Sequence, residues 1–193
     1  MASLLHTTDN TRAVLPGTWR FIRSDAPANL DEGDIAWLRE HDVRTVVDLR
    51  EPWELEKKPC RLRELPDFTY HTLPVTGGNR VPDTPAEVGP WYLSTLDDQM
   101  RRILDTMEQA QTNVIFFCAA GKDRTGIVSA LLQHRAGLSR EEIIADYLLT
   151  AENMRERIAG YVKRNPHWDI VVLTPQRWYM EQLLDGLADR GWA

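Results

Sequence analysis

A cysteine, an arginine and an aspartate stand close together in the segment NVIFFCAAGKDRTG, which spans residues 113–126. Cys118 can act as a nucleophile. Arg124, six residues later, can grip two oxygens of a phosphate with its planar guanidinium group. Asp123 can give or take a proton. These side chains together indicate chemistry on a phosphate ester, with the cysteine attacking phosphorus.

The residues around this cysteine predict a loop that binds an anion. The apolar run Val114–Cys118 predicts a buried strand, and an amphipathic helix is predicted to begin at Arg124. A short loop that leads into a helix points successive backbone N–H groups into one concavity. Gly121 permits the necessary turn. We therefore expect the loop to bind phosphate and the helix N-terminus to favour the thiolate form of Cys118.

This segment resembles the active-site loop of the cysteine-dependent protein tyrosine phosphatase superfamily. The likeness is strongest to a bacterial branch whose loop reads His-Cys-x-x-Gly-Lys-Asp-Arg-Thr-Gly and whose tyrosine phosphatases include some with additional activity toward phosphoinositides. The matching residues are Cys118, Gly121, Lys122, Asp123, Arg124, Thr125 and Gly126. Other segments that resemble the family are Arg23–Ser24, Asp48–Arg50 with Glu54, and Ala145–Thr150.

The resemblance implies a role for each residue of the loop. Cys118 would form a phosphocysteine, Arg124 would stabilise the phosphoryl oxygens, and Thr125 would donate a hydrogen bond to the thiolate. The predicted phosphate-binding residues are Ala119, Ala120, Gly121, Lys122, Asp123 and Arg124. No cofactor is expected, and the five histidines show no spacing typical of metal ligands.

Two aspartates compete for the role of general acid, which protonates the leaving oxygen. Asp123 has this role by resemblance to the bacterial branch. Asp83 lies in the segment VPDTP, 35 residues before Cys118, and looks like the mobile acid loop of other tyrosine phosphatases. We favour Asp123 and keep Asp83 as the alternative.

One position departs from the family pattern. Phe117 stands where the family usually has a histidine that hydrogen-bonds to the loop. Because side chains alternate along a strand, we expect Phe117 to point away from the pocket and to pack into the core. The thiolate would then depend on the backbone N–H groups, the helix N-terminus and Arg124.

The rest of the chain predicts an α/β fold that would position this loop. The predicted strands are Trp19–Ile22, Val43–Leu49, Phe68–Leu73 and Val114–Cys118. The predicted helices are Asp31–His41, Pro90–Ala110, Arg124–Arg135, Ser139–Leu149, Met154–Arg164 and one beginning at Thr174. This order favours a mainly parallel central sheet flanked by helices, with the C-terminal helices as a bundle on one face. Residues 74–90, which hold four prolines and three glycines, predict a mobile loop.

Length and charge restrict the possible classes of protein. The 193 residues predict a single domain, 1–193. A net charge of −6 argues against binding to nucleic acid or to an anionic membrane surface. Two cysteines cannot form a disulfide framework, and the longest apolar run is too short to cross a membrane. We expect a cytoplasmic protein. Secretion by a route that needs no signal peptide stays open as an alternative.

The predicted function is the metal-independent hydrolysis of phosphate monoesters through a phosphocysteine. The predicted substrate is a phosphotyrosine protein or peptide. Two alternatives remain open at this point. One is a phosphatase of phosphoinositides or inositol phosphates, and the other is a pseudophosphatase that binds phosphate without turnover.

Overall fold

A five-stranded sheet forms the centre of the protein in a computed structural model that describes residues 3–192. The strands are β1 (Arg12–Ala13), β2 (Phe21–Ser24), β3 (Val43–Asp48), β4 (Thr69–Thr72) and β5 (Asn113–Phe117). Their order across the sheet is β1-β2-β5-β3-β4. All neighbours pair in parallel except β1, which is antiparallel to β2. The predicted parallel sheet is thus confirmed, and β5 lies in its middle.

Helices cover both faces of this sheet. They are α1 (Glu32–Glu40), α2 (Pro52–Lys57), α3 (Pro85–Ser94), α4 (Asp98–Gln109), α5 (Arg124–Arg135), α6 (Arg140–Asn153), α7 (Arg155–Arg164), α8 (Ile170–Leu173) and α9 (Arg177–Asp185). The larger hydrophobic core joins one face of the sheet to α3, α4, α5, α6 and α9, and α1 packs in the smaller core. The predicted C-terminal bundle on one face is therefore confirmed. None of the helices within residues 3–192 combines the length and the apolar composition needed to cross a membrane.

The alternation of side chains along β5 divides its residues between the two cores. Val114 and Phe116 lie in the larger core, whereas Ile115 and Phe117 lie in the smaller one. Cys118, directly after the strand, belongs to the larger core. Phe117 therefore points away from Cys118, as the alternation predicts.

The single helix predicted for Pro90–Ala110 is wrong, because the structure has two helices there. The Thr95 hydroxyl donates to the carbonyl of Tyr92 at the end of α3 (2.8 Å), and the Asp97 carboxylate accepts from the N–H of Met100 (2.9 Å) as the N-cap of α4. Such local hydrogen bonds compete with a continuous helix. Since α3 already begins at Pro85, the predicted loop 74–90 is also too long, because residues 85–90 are helical.

Several element boundaries also differ from the prediction. The strand predicted from Trp19 begins at Phe21, and the helix predicted from Thr174 begins at Arg177. Helix α2 was not predicted, because six residues are too few to show a clear periodicity. It begins with a capping box between Glu51 and Glu54. This short helix matters because it carries Glu54 to the site described below.

Candidate active site

The loop after β5 carries Cys118 at the carboxyl end of the central strand. We call residues 118–124 the Cys118 loop. Gly121 within it has a φ of +67°, in the left-handed region that favours glycine. A Cβ at this position would lie 2.6 Å from the carbonyl oxygen of Ser24, at the end of β2. The loop thus approaches the backbone of β2 so closely that a side chain does not fit.

The carbonyl oxygens of the Cys118 loop are held by groups outside it. Those of Ala120 and Gly121 accept hydrogen bonds from Nδ2 of Asn10 at 3.3 and 3.2 Å. None of the backbone N–H groups of residues 119–124 donates to an acceptor in the described part of the chain. Because the N–H and C=O of a planar peptide point in opposite directions, these bonds direct the N–H groups of Gly121 and Lys122 away from Asn10. A run of backbone N–H groups without partners can bind an anion.

Two buried arginines connect the Cys118 loop to the rest of the domain. Arg23 donates to the carbonyl of Gly121 at 2.8 Å and forms an ion pair with Asp146 at 2.6 Å. Arg12 forms an ion pair with the other oxygen of the same carboxylate at 2.7 Å, and it also donates to Asn10 Oδ1 at 2.5 Å. The network therefore joins β1, β2 and α6 to the loop.

The opposite charges in this network stabilise one another despite their burial. Burial alone would raise the pKa of Asp146, but the charges of Arg23 and Arg12 outweigh it and lower that pKa. Burial, together with the neighbouring charge of Arg23, lowers the pKa of Arg12 to about 10, so Arg12 stays charged at neutral pH. These contacts hold the loop in place of the hydrogen bond that the side chain of Phe117 cannot donate, and they join residues too distant along the chain to be predicted from a local pattern.

Arg124 is held in place by Glu54 of α2. Its two terminal nitrogens bond to the two carboxylate oxygens of Glu54 at 2.6 and 2.9 Å. Burial alone would lower the pKa of Arg124, but the hydrogen bonds to Glu54 and the negative charge of that carboxylate help to outweigh it and raise the pKa. For Glu54, the effect of Arg124 likewise exceeds that of burial and lowers the pKa. The guanidinium group is therefore charged and held in one orientation by Glu54.

The segment after β4 packs on the stem of Arg124. A Cβ on Gly78 would lie 2.6 Å from Cδ of Arg124 and 2.8 Å from the carbonyl oxygen of Val75. The indole N–H of Trp91 in α3 donates to the carbonyl of Gly77 at 3.1 Å. This part of the predicted mobile loop thus forms one wall beside Arg124.

The Asp123 carboxylate lies at the start of α5, and one of its oxygens has a hydroxyl donor and an ammonium group as neighbours. Tyr92 donates its O–H to Asp123 Oδ1 at 2.6 Å, and the Tyr92 oxygen lies 2.8 Å from the hydroxyl oxygen of Tyr147. Lys122 Nζ is 3.0 Å from the same Oδ1. Burial and the negative charge of Asp123 raise the pKa of Tyr92 well above its usual value, so its hydroxyl stays protonated.

Lys122 is buried and points toward the C-terminal helices. Its ammonium group donates to the carbonyl of Val172 in α8, and it lies 5.8 Å from the ring centre of Tyr179 in α9. Its role as a phosphate contact stays a prediction, because its present contacts are with Val172 and Asp123.

The remaining predicted residues fall into different surroundings. The Thr125 hydroxyl is buried and has no hydrogen-bond partner in the described part of the chain, so its donation to the thiolate stays a prediction. Asp83 has a side chain that is 75% exposed and lies 3.6 Å from Arg80, an equally exposed residue. Cys60 lies in the smaller core, across the sheet from Cys118, and burial raises its pKa to about 11.

The only cluster of potential metal ligands within residues 3–192 is His6, Asp31 and Asp34, outside the Cys118 loop. Its carboxylates already have structural partners. Asp34 accepts from the backbone N–H groups of His6 and Thr7 at 2.6 and 3.1 Å, and Asp31 caps α1. This cluster is explained by the local fold.

Comparison with known proteins identifies the family of the chain. Residues 5–190 match the profile of the tyrosine phosphatase family. The chain belongs to this family. The family predicted from the loop is thereby confirmed.

Individual relatives resemble the chain at lower identity. A tyrosine-protein phosphatase of Nostoc commune is 28% identical over 157 residues, which cover 76% of this chain and 53% of that protein. The triple specificity protein phosphatase PtpB of Mycobacterium tuberculosis is 27% identical over 195 aligned positions, which cover 81% of this chain and 70% of that protein. The chain thus spans about half the length of the Nostoc relative. Among solved structures, the catalytic domain of the PP-IP phosphatase SIW14 of S. cerevisiae aligns at 14% identity with a TM-score of 0.48, covering 97% of this chain and 96% of that one.

Several residues of the site could not be found from their local sequence. The segments with Arg23, Glu54 and Asp146 were marked by the family resemblance alone. Asn10 and Tyr92 carry no local signal, because their contacts are to residues distant along the chain. A buried asparagine or tyrosine is as easily explained by packing until its partner is known.

Proposed function

We propose that the chain hydrolyses phosphate monoesters through a phosphocysteine at Cys118 and prefers phosphotyrosine. The observation that carries the proposal is the Cys118 loop itself. It combines a nucleophile, backbone N–H groups with no partner in the described part of the chain, and a guanidinium group fixed by Glu54. These groups match the needs of phosphoryl transfer, which are positioning and stabilisation of charge.

In the first step, the Cys118 thiolate attacks phosphorus. The Sγ–P bond forms, the bond from phosphorus to the tyrosine oxygen breaks, and the leaving oxygen takes a proton from Asp123. The loop N–H groups and Arg124 stabilise the charge on the equatorial oxygens. In the second step, Asp123 takes a proton from water as the water attacks phosphorus. The S–P bond breaks, and inorganic phosphate and the thiolate are released.

The surroundings of the two aspartates support Asp123 as the acid. Asp123 belongs to the Cys118 loop, and its carboxylate is oriented by Tyr92 and Lys122. Asp83 lies on the surface beside Arg80. A general acid must come within hydrogen-bond reach of the leaving oxygen, and membership of the Cys118 loop favours Asp123 for that role.

The charges around the site support a substrate with one phosphate over a multiply phosphorylated inositide. Arg124 is paired with Glu54 and Arg80 with Asp83, and the buried Lys122 donates to the carbonyl of Val172. The net charge of −6 gives no long-range attraction for a polyanion.

Both cysteines are free, which supports action in a reducing compartment such as the cytoplasm.

The test is hydrolysis of a phosphotyrosine peptide and of a multiply phosphorylated inositide at equal ionic strength, with a metal chelator present. We expect kcat/KM to be higher for the peptide and the Cys118→Ser variant to lose nearly all turnover while it still binds phosphate. A tenfold preference for the inositide would overturn the proposed substrate. Phosphate binding with no turnover by the unaltered protein would instead make it a binding module.

A further inference from the structure

Tyr92 is a buried tyrosine whose hydroxyl contacts the proposed general acid. The side chain lies in α3 with no exposed surface, and its O–H donates to Asp123 Oδ1 at 2.6 Å. Its oxygen also lies 2.8 Å from the hydroxyl of Tyr147 in α6, another buried tyrosine. Since the Tyr92 proton is directed to Asp123, the Tyr147 hydroxyl must be the donor in the second bond.

This chain of donors determines which oxygen of Asp123 can carry a proton. Oδ1 receives the O–H of Tyr92 and faces Lys122 Nζ at 3.0 Å. An oxygen that accepts a hydroxyl proton and lies beside an ammonium charge is a poor place for a further proton. When Asp123 is protonated, the proton therefore lies on Oδ2. The carboxyl group of Asp123 is 29% exposed, so it remains accessible from solvent.

We propose that Tyr92 is a positioning residue for proton transfer, because its hydroxyl holds Oδ1 of Asp123 and leaves Oδ2 to deliver the proton. The inference rests on the proposed role of Asp123 as the general acid. Without the hydroxyl, the carboxyl group could rotate about its χ2 bond, which has a broad energy profile. The Lys122 ammonium group would then be the remaining polar neighbour of Oδ1, and its hydrogen bond goes to the carbonyl of Val172.

The ring of Tyr92 has a separate, structural role, which a conservative variant preserves. It packs edge-on against the rings of Tyr147 and Tyr179, with centroids 6.3 Å apart in both pairs. Phenylalanine keeps this packing and removes the oxygen alone. The Tyr92→Phe variant therefore tests the hydroxyl, although it leaves the Tyr147 hydroxyl without its acceptor.

The experiment measures kcat/KM for a series of aryl phosphates with leaving groups of increasing basicity. A good leaving group needs no proton, whereas a poor one depends on the acid. For Tyr92→Phe we expect kcat/KM to fall about tenfold for the poorest leaving group and to change little for the best one. This loss is smaller than the loss of the general acid itself would cause, because Asp123 is still present. A loss that is equal across the series would show a merely structural role and overturn the inference.

Three further variants make the result specific. Tyr179→Phe removes a hydroxyl that bonds to the carbonyl of Val171, so it should show no leaving-group dependence. The double variant Tyr92→Phe/Tyr147→Phe leaves no orphaned hydroxyl and should repeat the Tyr92→Phe pattern, which keeps the test valid if the single variant folds poorly. Asp123→Asn separates the two proposals. If the loss in Asp123→Asn does not depend on the leaving group, Asp123 is not the acid. If the loss in Asp123→Asn does depend on the leaving group but the losses in both Tyr92 variants do not, only the positioning role of Tyr92 is wrong.

Discussion

Replacing Gly121 by alanine should damage both stability and catalysis, because two costs coincide at this position. The backbone has a φ of +67°, where an alanine costs about 1 kcal/mol or more relative to glycine. The added Cβ would also lie 2.6 Å from the Ser24 carbonyl oxygen and 2.8 Å from the Asp25 nitrogen. Both are backbone atoms that cannot rotate away, and relieving such overpacking costs about 1–3 kcal/mol more.

Gly137 supplies the matched control. Its φ is +80°, but a Cβ there would meet nothing within 4 Å. Gly137→Ala should therefore lower the free energy of unfolding by about 1 kcal/mol, and Gly121→Ala by about 2–4 kcal/mol. Urea unfolding followed by tryptophan fluorescence and far-UV circular dichroism measures both.

The displaced loop should also lose catalytic power. Because the N–H groups of the Cys118 loop must move when Gly121 moves, kcat/KM for an aryl phosphate should fall about 100-fold in Gly121→Ala and stay unchanged in Gly137→Ala. If Gly121→Ala were no less stable than Gly137→Ala, the close approach of the loop to β2 would be refuted. Full activity in a destabilised Gly121→Ala would show that the N–H groups do not bind the transition state.

Further predictions concern the charged groups of the site. Glu54→Gln removes the negative charge opposite Arg124, so kcat/KM should fall about tenfold or more while the fold persists, as activity and circular dichroism would show. Asp146→Asn leaves two buried arginines without their counterion and should lower the free energy of unfolding at pH 7 by about 3 kcal/mol. Because the pKa of Asp146 is lower in the folded than in the unfolded protein, its contribution to stability is present above about pH 4 and is lost as the pH falls through the folded pKa. The difference in free energy of unfolding between Asp146→Asn and the unaltered protein should therefore narrow in urea titrations at low pH. Asp123→Asn should depress kcat/KM more for poor leaving groups than for good ones, whereas Asp83→Asn should change neither, and a steep dependence in the Asp83 variant alone would transfer the acid role to Asp83.

The part of the fold that the sequence predicted well is the unit from β5 through α5. Its apolar strand, its glycine turn and its helix are contiguous, so the local pattern is sufficient to place them. The division of Phe116 and Phe117 between the two cores also follows from alternation along a strand. Cys118 and Arg124 were found for the same reason, since both belong to this unit.

The parts that were missed depend on contacts between distant residues. Asn10 bonds to Gly121 across 111 positions of the chain, and Tyr92 bonds to Asp123 across 31. No window of sequence contains both partners. The break between α3 and α4 was not predicted, for a different reason. The apolar spacing continues through Thr95, and only the side-chain hydrogen bonds of Thr95 and Asp97 show that the helix ends there.

The phosphocysteine is the central claim, and it can be observed directly by rapid quenching of the full chain during turnover of an aryl phosphate, followed by mass spectrometry of the protein. Asp123→Asn is the useful variant, because loss of the base should slow hydrolysis of the intermediate while a good leaving group still departs. We expect one added phosphoryl group, located on Cys118 by peptide mapping and absent in Cys118→Ser. Steady turnover with an unmodified Cys118, or turnover that survives Cys118→Ser, would contradict the mechanism.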